Sequence, residues 1–255
     1  MEKQPLILVT NDDGITASGI NSLIEVVKDF GELLIVAPDK PQSGMGHAIT
    51  VNEPLYISPS TYYPGHKAFT TTGTPVDCVK LAMHLLEGRQ PDLIVSGINH
   101  GSNASTNVLY SGTMSAAVEG CLDGIPSIGF SLMDFAHDAD FSGAEIAVKK
   151  IVGEALNKPI PRDVCLNVNV PKLPATEIKG YRICRQARAF WEDGFEERTT
   201  PLGKKYFWLT GEFENYDAGE DTDIWALKNG YVSVVPTQFD MTAHHSIAEI
   251  NSWEI

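Results

Sequence analysis

The sequence predicts an α/β protein: a Rossmann-like, doubly wound, mostly parallel sheet with a C-terminal antiparallel hairpin extension. Three observations carry that expectation. Short uninterrupted apolar runs recur, among them Leu6-Ile7-Leu8-Val9, Leu33-Leu34-Ile35-Val36-Ala37 and Leu93-Ile94-Val95. Such runs suit strands buried on both faces. Segments with helical spacing of apolar residues lie between them, as β-α units of a parallel sheet require. From Pro171 onward the pattern changes to aromatic and charged stretches, which suit antiparallel ribbons.

Taken in order, the first run passes into Thr10-Asn11-Asp12-Asp13-Gly14, so a buried strand ends on an amide and two adjacent carboxylates. Ser18-Gly19 starts a helix that carries Ile20, Leu23, Ile24 and Val27 on one face, and Gly31 closes it. The run Leu33–Ala37, stopped by Pro38, completes a β-α-β unit with a right-handed crossover. A polar, glycine-rich loop follows, from Asp39 through Ser43-Gly44 to His47. Short strands at Leu55–Ile57 and Ala68–Thr70 flank a turn at Tyr62–Gly65. Thr74-Pro75 then reads as N-cap and first helical residue, ahead of the stripe Val76, Val79, Met83 and Leu86. A strand over Pro91–Asn99 ends on another amide.

The loop His100–Leu109 leads to Tyr110-Ser111-Gly112-Thr113 and a helix of small residues from Met114 to Cys121. Strand Ile125–Ser131, helix Ala144–Ile151 and strand Val164–Val170 continue the alternation. In the extension, Tyr181–Cys184 and Lys205–Leu209 are expected as hairpin strands separated by a charged stretch, Glu192–Lys204. Asp221-Thr222-Asp223 opens a short helix to Leu227, and Asn229-Gly230 turns into a returning strand, Tyr231–Val235. The polar tail beyond Asp240 is expected to be poorly ordered. These elements divide into an α/β core over 1–170 and an extension over 171–255 that suits pairing with another subunit.

Neighbouring carboxylates repel, so Asp12 and Asp13 need a cation, a shared proton or full solvation. Oxygen donors at three strand ends offer a cation site: Asp12 and Asp13, Ser43, and Asn99. All are hard ligands, which suit Mg²⁺ or Mn²⁺ rather than zinc. Ser111, Gly112 and Thr113 sit at a helix N-terminus, where free amides and the helix dipole favour an anion such as phosphate. Asn11, Gly44, Asn103 and Asn107 lie in the same loops and are further candidates for contact with substrate. A cation beside a phosphate site points to hydrolysis of a phosphomonoester. One acid, Asp12 by preference, also orients or deprotonates the attacking water. The two acids are adjacent rather than in an Asp-x-Asp arrangement, so no phosphoaspartyl intermediate is expected. His47 and His100 occupy the site loops, with either a functional or a structural role.

Six segments together resemble the SurE survival-protein nucleotidases: Val9–Gly14, Ala37-Pro38-Asp39 with Ser43-Gly44, Gly73–Cys78, Ser96–Gly101, Tyr110–Thr113, and more weakly Asp221-Thr222-Asp223 with Val232-Ser233-Val234. The resemblance covers most of the chain in the right order. It implies a metal-dependent phosphatase acting on nucleoside 5′-monophosphates, with 3′-monophosphates as a further substrate class. It also implies an α/β core and an oligomer-forming C-terminal extension, hence a homodimer or homotetramer. The family's metal ligands fall on Asp12, Asp13, Ser43 and Asn99, which implies one divalent cation per subunit. Two departures bear on substrate choice. Asn103-Ala104-Ser105-Thr106-Asn107 stands where acidic residues are usual, and Gly46 stands where a second serine is expected.

Composition narrows the alternatives. A net charge of −14 argues against a nucleic-acid-binding face. The first βα turn has no GxGxxG, which disfavours a dinucleotide enzyme. The four cysteines form no CxxC pair and read as buried thiols of a reducing compartment. Met1–Pro5 has no signal-peptide core and no run is long enough to span a membrane, so a cytoplasmic protein is expected. The rival of a different class is a nucleotide-binding or sensing protein without turnover, which would not need a complete metal and phosphate set.

Overall fold

The central strand, β1 (Leu6–Thr10), has all five residues buried. The structure is a computed structural model that describes residues 4–254, so Met1, Glu2 and Lys3 of the N-terminal stretch read above lie outside it. Parallel partners flank β1 on both sides: β2 (Glu32–Pro38) and, beyond the intervening elements, β5 (Leu93–His100). Alternate side chains along β1 enter two different cores. Ile7 and Val9 pack with Ile35 and Val95, while Leu6 and Leu8 pack with Leu34, Val36, Cys78 and Val79. A strand that feeds two cores has no polar face, which is why its sequence is a continuous apolar run.

Helix α1 (Ser18–Val27) and α4 (Ser142–Asn157) cover the first face. Helix α2 (Pro75–Leu85) and α3 (Gly112–Leu122) cover the other. The remaining strands are β3 (Ile57–Pro59), β4 (Lys67–Thr71), β6 (Ser127–Leu132), β7 (Cys165–Val170), β8 (Tyr181–Ile183), β9 (Ala189–Thr199), β10 (Lys205–Asn215) and β11 (Val232–Thr237). Among the described residues the main sheet has nine strands in the order β3-β4-β2-β1-β5-β6-β7-β11-β8. From β4 to β7 neighbours are parallel, whereas β3 and β11 run antiparallel to their neighbours β4 and β7. The chain winds one way from β1 through β2 and β4, then returns to β5 and winds the other way. The reversal lies between β1 and β5, and open α/β sheets bind ligands beyond the strand ends at such a point.

The hairpin does not pair as the sequence suggested. Tyr181–Ile183 is β8, an edge strand parallel to β11, while β10 pairs along its whole length with β9. The charged stretch Glu192–Thr199, expected as a connector, is therefore strand. An isolated two-stranded ribbon has no buried face, so its apolar and charged residues need not alternate and periodicity does not reveal it. Cross-strand pairing of Lys205 with Glu197 at 2.7 Å explains part of the charge. The short helix α5 (Asp223–Lys228) is capped by Thr222, whose side chain accepts from the Trp225 amide. The tail beyond Asp240, expected to be poorly ordered, forms a 3₁₀ turn and one exposed helical turn, α6 (Ile247–Ile250).

Thr74 does cap α2, in a full capping box with Asp77. Its hydroxyl also donates to the Ala48 carbonyl at 2.7 Å, and Asp77 accepts from both the amide and the hydroxyl of Thr50. The box thus ties the helix start to the loop that follows β2. Thr74→Ala should lower stability by about 1–2 kcal/mol, the range for a lost N-cap. Urea unfolding checks this, and an unchanged midpoint would rule out the tie.

Candidate active site

The ends of β1, β2 and β5 meet in a cleft of about 270 Å³ lined by Asp12, Asp13, Ser43, Gly44 and Asn99. The start of α3 closes one side of it through Ser111. Asp12 is only 5% exposed, and Asp13 is partly buried. Burial first, and then the Asp13 charge, push the Asp12 carboxyl from its ordinary 3.8 up to about 6. Burial also raises Asp13, against the opposing pull of the His100 backbone and ring. Thr113 works in the other direction on Asp12: its hydroxyl donates to Oδ1 at 2.5 Å, and its backbone amide also favours the ionised form. The helix start can come this close because residue 112 is glycine. A Cβ there would lie 2.7 Å from the Asp12 Cβ and 3.0 Å from Oδ2.

A divalent cation fits this donor set. Asp13 Oδ2 is buried with no hydrogen-bond partner, an arrangement that leaves a desolvated acceptor without compensation. The Asn99 side chain donates its NH₂ to the carbonyls of Gly101 (2.8 Å) and His100 (3.2 Å), which leaves its oxygen as the atom available for a ligand. Among the described residues no three His, Cys, Asp or Glu side chains gather, so a cation could be held here only by a mixed set of carboxylate, amide and hydroxyl oxygens. Such oxygens are hard ligands.

Ser43 lies on an exposed loop that is nevertheless fastened at several points. The Gln42 amide donates to the Asp12 carbonyl at 2.8 Å, and the Gly46 amide donates to the Tyr110 carbonyl at 3.2 Å. His47 pairs through Nε2 with Glu119 of α3 at 2.9 Å, and Lys80 of α2 pairs with the same carboxylate. Glu119 is buried, and His47 and Lys80 hold its carboxyl below the usual range. His47 thus fastens the Ser43 loop to α3. His100 faces the cleft, touches Ser18 Oγ at 3.1 Å and meets the Phe141 ring edge-on.

The remaining candidates divide by position. Asn103, Asn107 and Ser111 line the cleft with Gly44. Asn11, Gly112 and Thr113 stand behind it: Asn11 donates to the Gly14 carbonyl at 2.9 Å and braces the turn, while Gly112 and Thr113 pack on Asp12. Ser111 caps α3 by accepting from the Met114 amide. A buried amide network holds the Asn103 loop. Asn169 Oδ1 accepts from the Asn103 amide at 2.7 Å, Asn167 donates to the Asn103 carbonyl at 2.9 Å, and Asn103 donates to Ser131 at 2.9 Å. Sequence reasoning missed Asn167 and Asn169, although two amides spaced by two in a buried strand were a signal. It also missed the aromatic rim of Tyr110, Phe135 and Trp191. Phe135 follows the end of β6, where the strand-end rule applies. Trp191 comes from the ribbon and donates Nε1–H to Asn107 Oδ1 at 3.0 Å, a contact with no local signal.

The fold is that of a doubly wound α/β protein with paired carboxylates and a helix N-terminus at its switch point. Comparison with known proteins narrows this. The family described as Survival protein SurE matches residues 7–193, and the chain belongs to that family. It is 58% identical over 253 residues to the 5′-nucleotidase SurE of Flavobacterium psychrophilum, covering 99% of this chain and 98% of that one. It is 48% identical over 254 residues to the 5′-nucleotidase SurE of Bacteroides fragilis, covering 99% of both. The crystal structure of the SurE protein from Aquifex aeolicus superposes with a TM-score of 0.84 at 40% identity, covering 97% of this chain and 98% of that one.

The raised Asp12 carboxyl has a consequence for stability. Without a cation the folded state keeps this proton up to about pH 6, whereas the unfolded chain releases it near the ordinary 3.8. The folded state binds more protons across that window, so this contribution to stability falls as pH rises from 3.8 to about 6 and stays lost above it. In excess chelator, Asp12→Asn should therefore gain up to about 3 kcal/mol over the parent at pH 8 and little near pH 4. Urea unfolding at the two pH values checks this. A difference independent of pH would contradict it.

Proposed function

We propose that this protein is a divalent-metal-dependent phosphomonoesterase that hydrolyses nucleoside 5′-monophosphates to nucleoside and inorganic phosphate. The observation that carries the reading is the desolvated Asp12–Asp13 pair, with Asp13 Oδ2 unpartnered, in one cleft with Ser43, Asn99 and the start of α3. The 5′-nucleotidase names of relatives that align along the whole chain support the same activity.

Asp12, Asp13, Ser43 and Asn99 would hold one Mg²⁺ or Mn²⁺. When bound, the cation neutralises the carboxylate pair and polarises a phosphoryl oxygen. Gly44, Asn103, Asn107 and Ser111 contact the phosphoryl group from the cleft wall, while Asn11, Gly112 and Thr113 support that wall from behind. Asp12, fixed by Thr113, orients the attacking water. Water adds to phosphorus, the bond from phosphorus to the nucleoside oxygen breaks, and that oxygen leaves carrying the proton the water gives up. Desolvation around the carboxylates strengthens each of these interactions, because the local field is less screened than in bulk water.

The ribbon supports assembly. Phe195, Phe207, Trp208 and Leu209 are exposed on it, more apolar surface than a two-stranded extension keeps in water without a partner. Residues 171–255 thus serve to join subunits into a homodimer or homotetramer, and 1–170 carry the chemistry. All four cysteines are free and buried, which supports a reducing, cytoplasmic location.

A screen of phosphate release over nucleoside 5′- and 3′-monophosphates, with Mg²⁺ or Mn²⁺, tests the reading. Asp12→Asn and Asp13→Asn should each reduce turnover at least about a hundredfold without loss of fold, and Ser43→Ala and Asn99→Ala should raise the metal concentration needed for half-activity about tenfold or more. Full activity of both aspartate variants, or of the parent in chelator, would end it.

A further inference from the structure

Among the described residues the main sheet ends at β8, with no strand beyond it. The Val232 amide donates to the Gly180 carbonyl and the Cys184 amide donates to the Val234 carbonyl, both at 2.9 Å. Residues 180 and 184 therefore turn their backbone groups toward β11. Successive residues of a strand point these groups to opposite edges, so Tyr181 and Ile183 present theirs outward. No backbone group among the described residues meets them there.

The side chains of Tyr181 and Ile183 border a groove of about 300 Å³ between this edge and the end of α4. Ile151, Ala155, Ile160, Leu166 and Val234 make its walls apolar. Ile183 is 73% exposed beside it. A sheet edge that must avoid pairing usually carries charge on such positions. Here the groove side of β8 has a tyrosine and an isoleucine instead, and only Arg182, between them, is charged.

Charge at this edge is opposite in sign to that of the chain. Residues 149–185 hold eight Lys or Arg and three Asp or Glu, although the whole sequence carries −14. Lys150 lies 4.9 Å from the centre of the Tyr181 ring. Arg182 and Lys179 lie 4.9 Å and 5.9 Å from that of Tyr231, which stacks on Trp225. Among the described residues none of these three cations pairs with a carboxylate. Rings hold them in place and leave their charge uncompensated.

We propose that the β8 edge and its groove dock an extended segment of another protein, one that alternates apolar and acidic residues. The segment adds to β8 as a further strand. Its backbone bonds to Tyr181 and Ile183, its apolar side chains enter the groove, and the acidic ones between them meet Arg182 and Lys179. A single-stranded nucleic acid would use the cations but leave the strand edge and the groove empty. The groove shares no lining residue with the Asp12–Asp13 cleft, and three strands separate β8 from β5, so the proposal is independent of the nucleotidase reading.

The probe is a short fluorescein-labelled peptide of alternating valine and glutamate, capped at both ends, with its anisotropy followed against the full chain at low salt. The parent should bind it saturably, one peptide per chain. Arg182→Glu and Ile183→Asp should each weaken binding about tenfold or more, the effect of losing a central contact. The same peptide with lysine for glutamate, or with N-methylated backbone amides, should bind the parent correspondingly less. Both variants should keep the parent's melting temperature and sedimentation. No binding by the parent, equal binding of the lysine peptide, or variants that bind like the parent would overturn the proposal. So would displacement of the peptide by oligouridylate, which assigns the patch to nucleic acid, or a smaller assembly for Ile183→Asp, which assigns it to a contact between subunits.

Discussion

Two neighbouring carboxylates placed where water is largely excluded set the terms for everything around them. Asp12 and Asp13 leave a fully buried strand and enter a cleft rather than open solvent. Their proton affinity rises as a result, and Asp13 keeps an oxygen that no protein group satisfies. Such an arrangement costs stability in the protein alone. The structure offsets part of that cost with Thr113 and the amides at the start of α3, and it permits their approach by having no side chain at Gly112. In the proposed function a cation satisfies the rest, and the same electrostatics that call for it favour a phosphoryl group beside it.

The fold supplies the geometry. Because the winding direction reverses between β1 and β5, their ends diverge and leave room above the sheet for a ligand. The loop after β2 closes the site from the side, and its fastening explains how an exposed serine can belong to a defined constellation. The capping box of α2 holds one end of this loop, and the His47–Glu119 pair holds its middle. Trp191 links the ribbon to the Asn107 loop, so the element proposed to join subunits also touches the rim of the cleft.

Much of this was legible in the sequence. Strands buried on both faces announce themselves as unbroken apolar runs, and Asn11-Asp12-Asp13-Gly14, Ser43-Gly44 and Asn99 stand at the ends of three of them. Thr74-Pro75 and Ser111 were readable as helix starts because capping is local chemistry. The antiparallel hairpin of the extension was expected, with Lys205–Leu209 in one of its strands, but the partner strand was not legible, since β9 has no buried face to impose a period and Glu192–Thr199 resembled a charged connector. The roles of Asn167, Asn169, Phe135 and Trp191 depend on neighbours distant in sequence, so no local pattern specified them. Thr113 was placed at the right helix end as a phosphate contact, and the bond its hydroxyl makes to Asp12 had no local signal.

In the proposed function the carboxylate pair is a cation site built at the expense of the cation-free protein's stability. Calorimetry of Mn²⁺ binding at neutral pH, with the melting temperature recorded along the titration, decides this. One Mn²⁺ per chain, with a rise in melting temperature that Asp13→Asn removes, is the predicted result. An isotherm without binding, or a parent and Asp13→Asn variant that bind and melt alike, would contradict it.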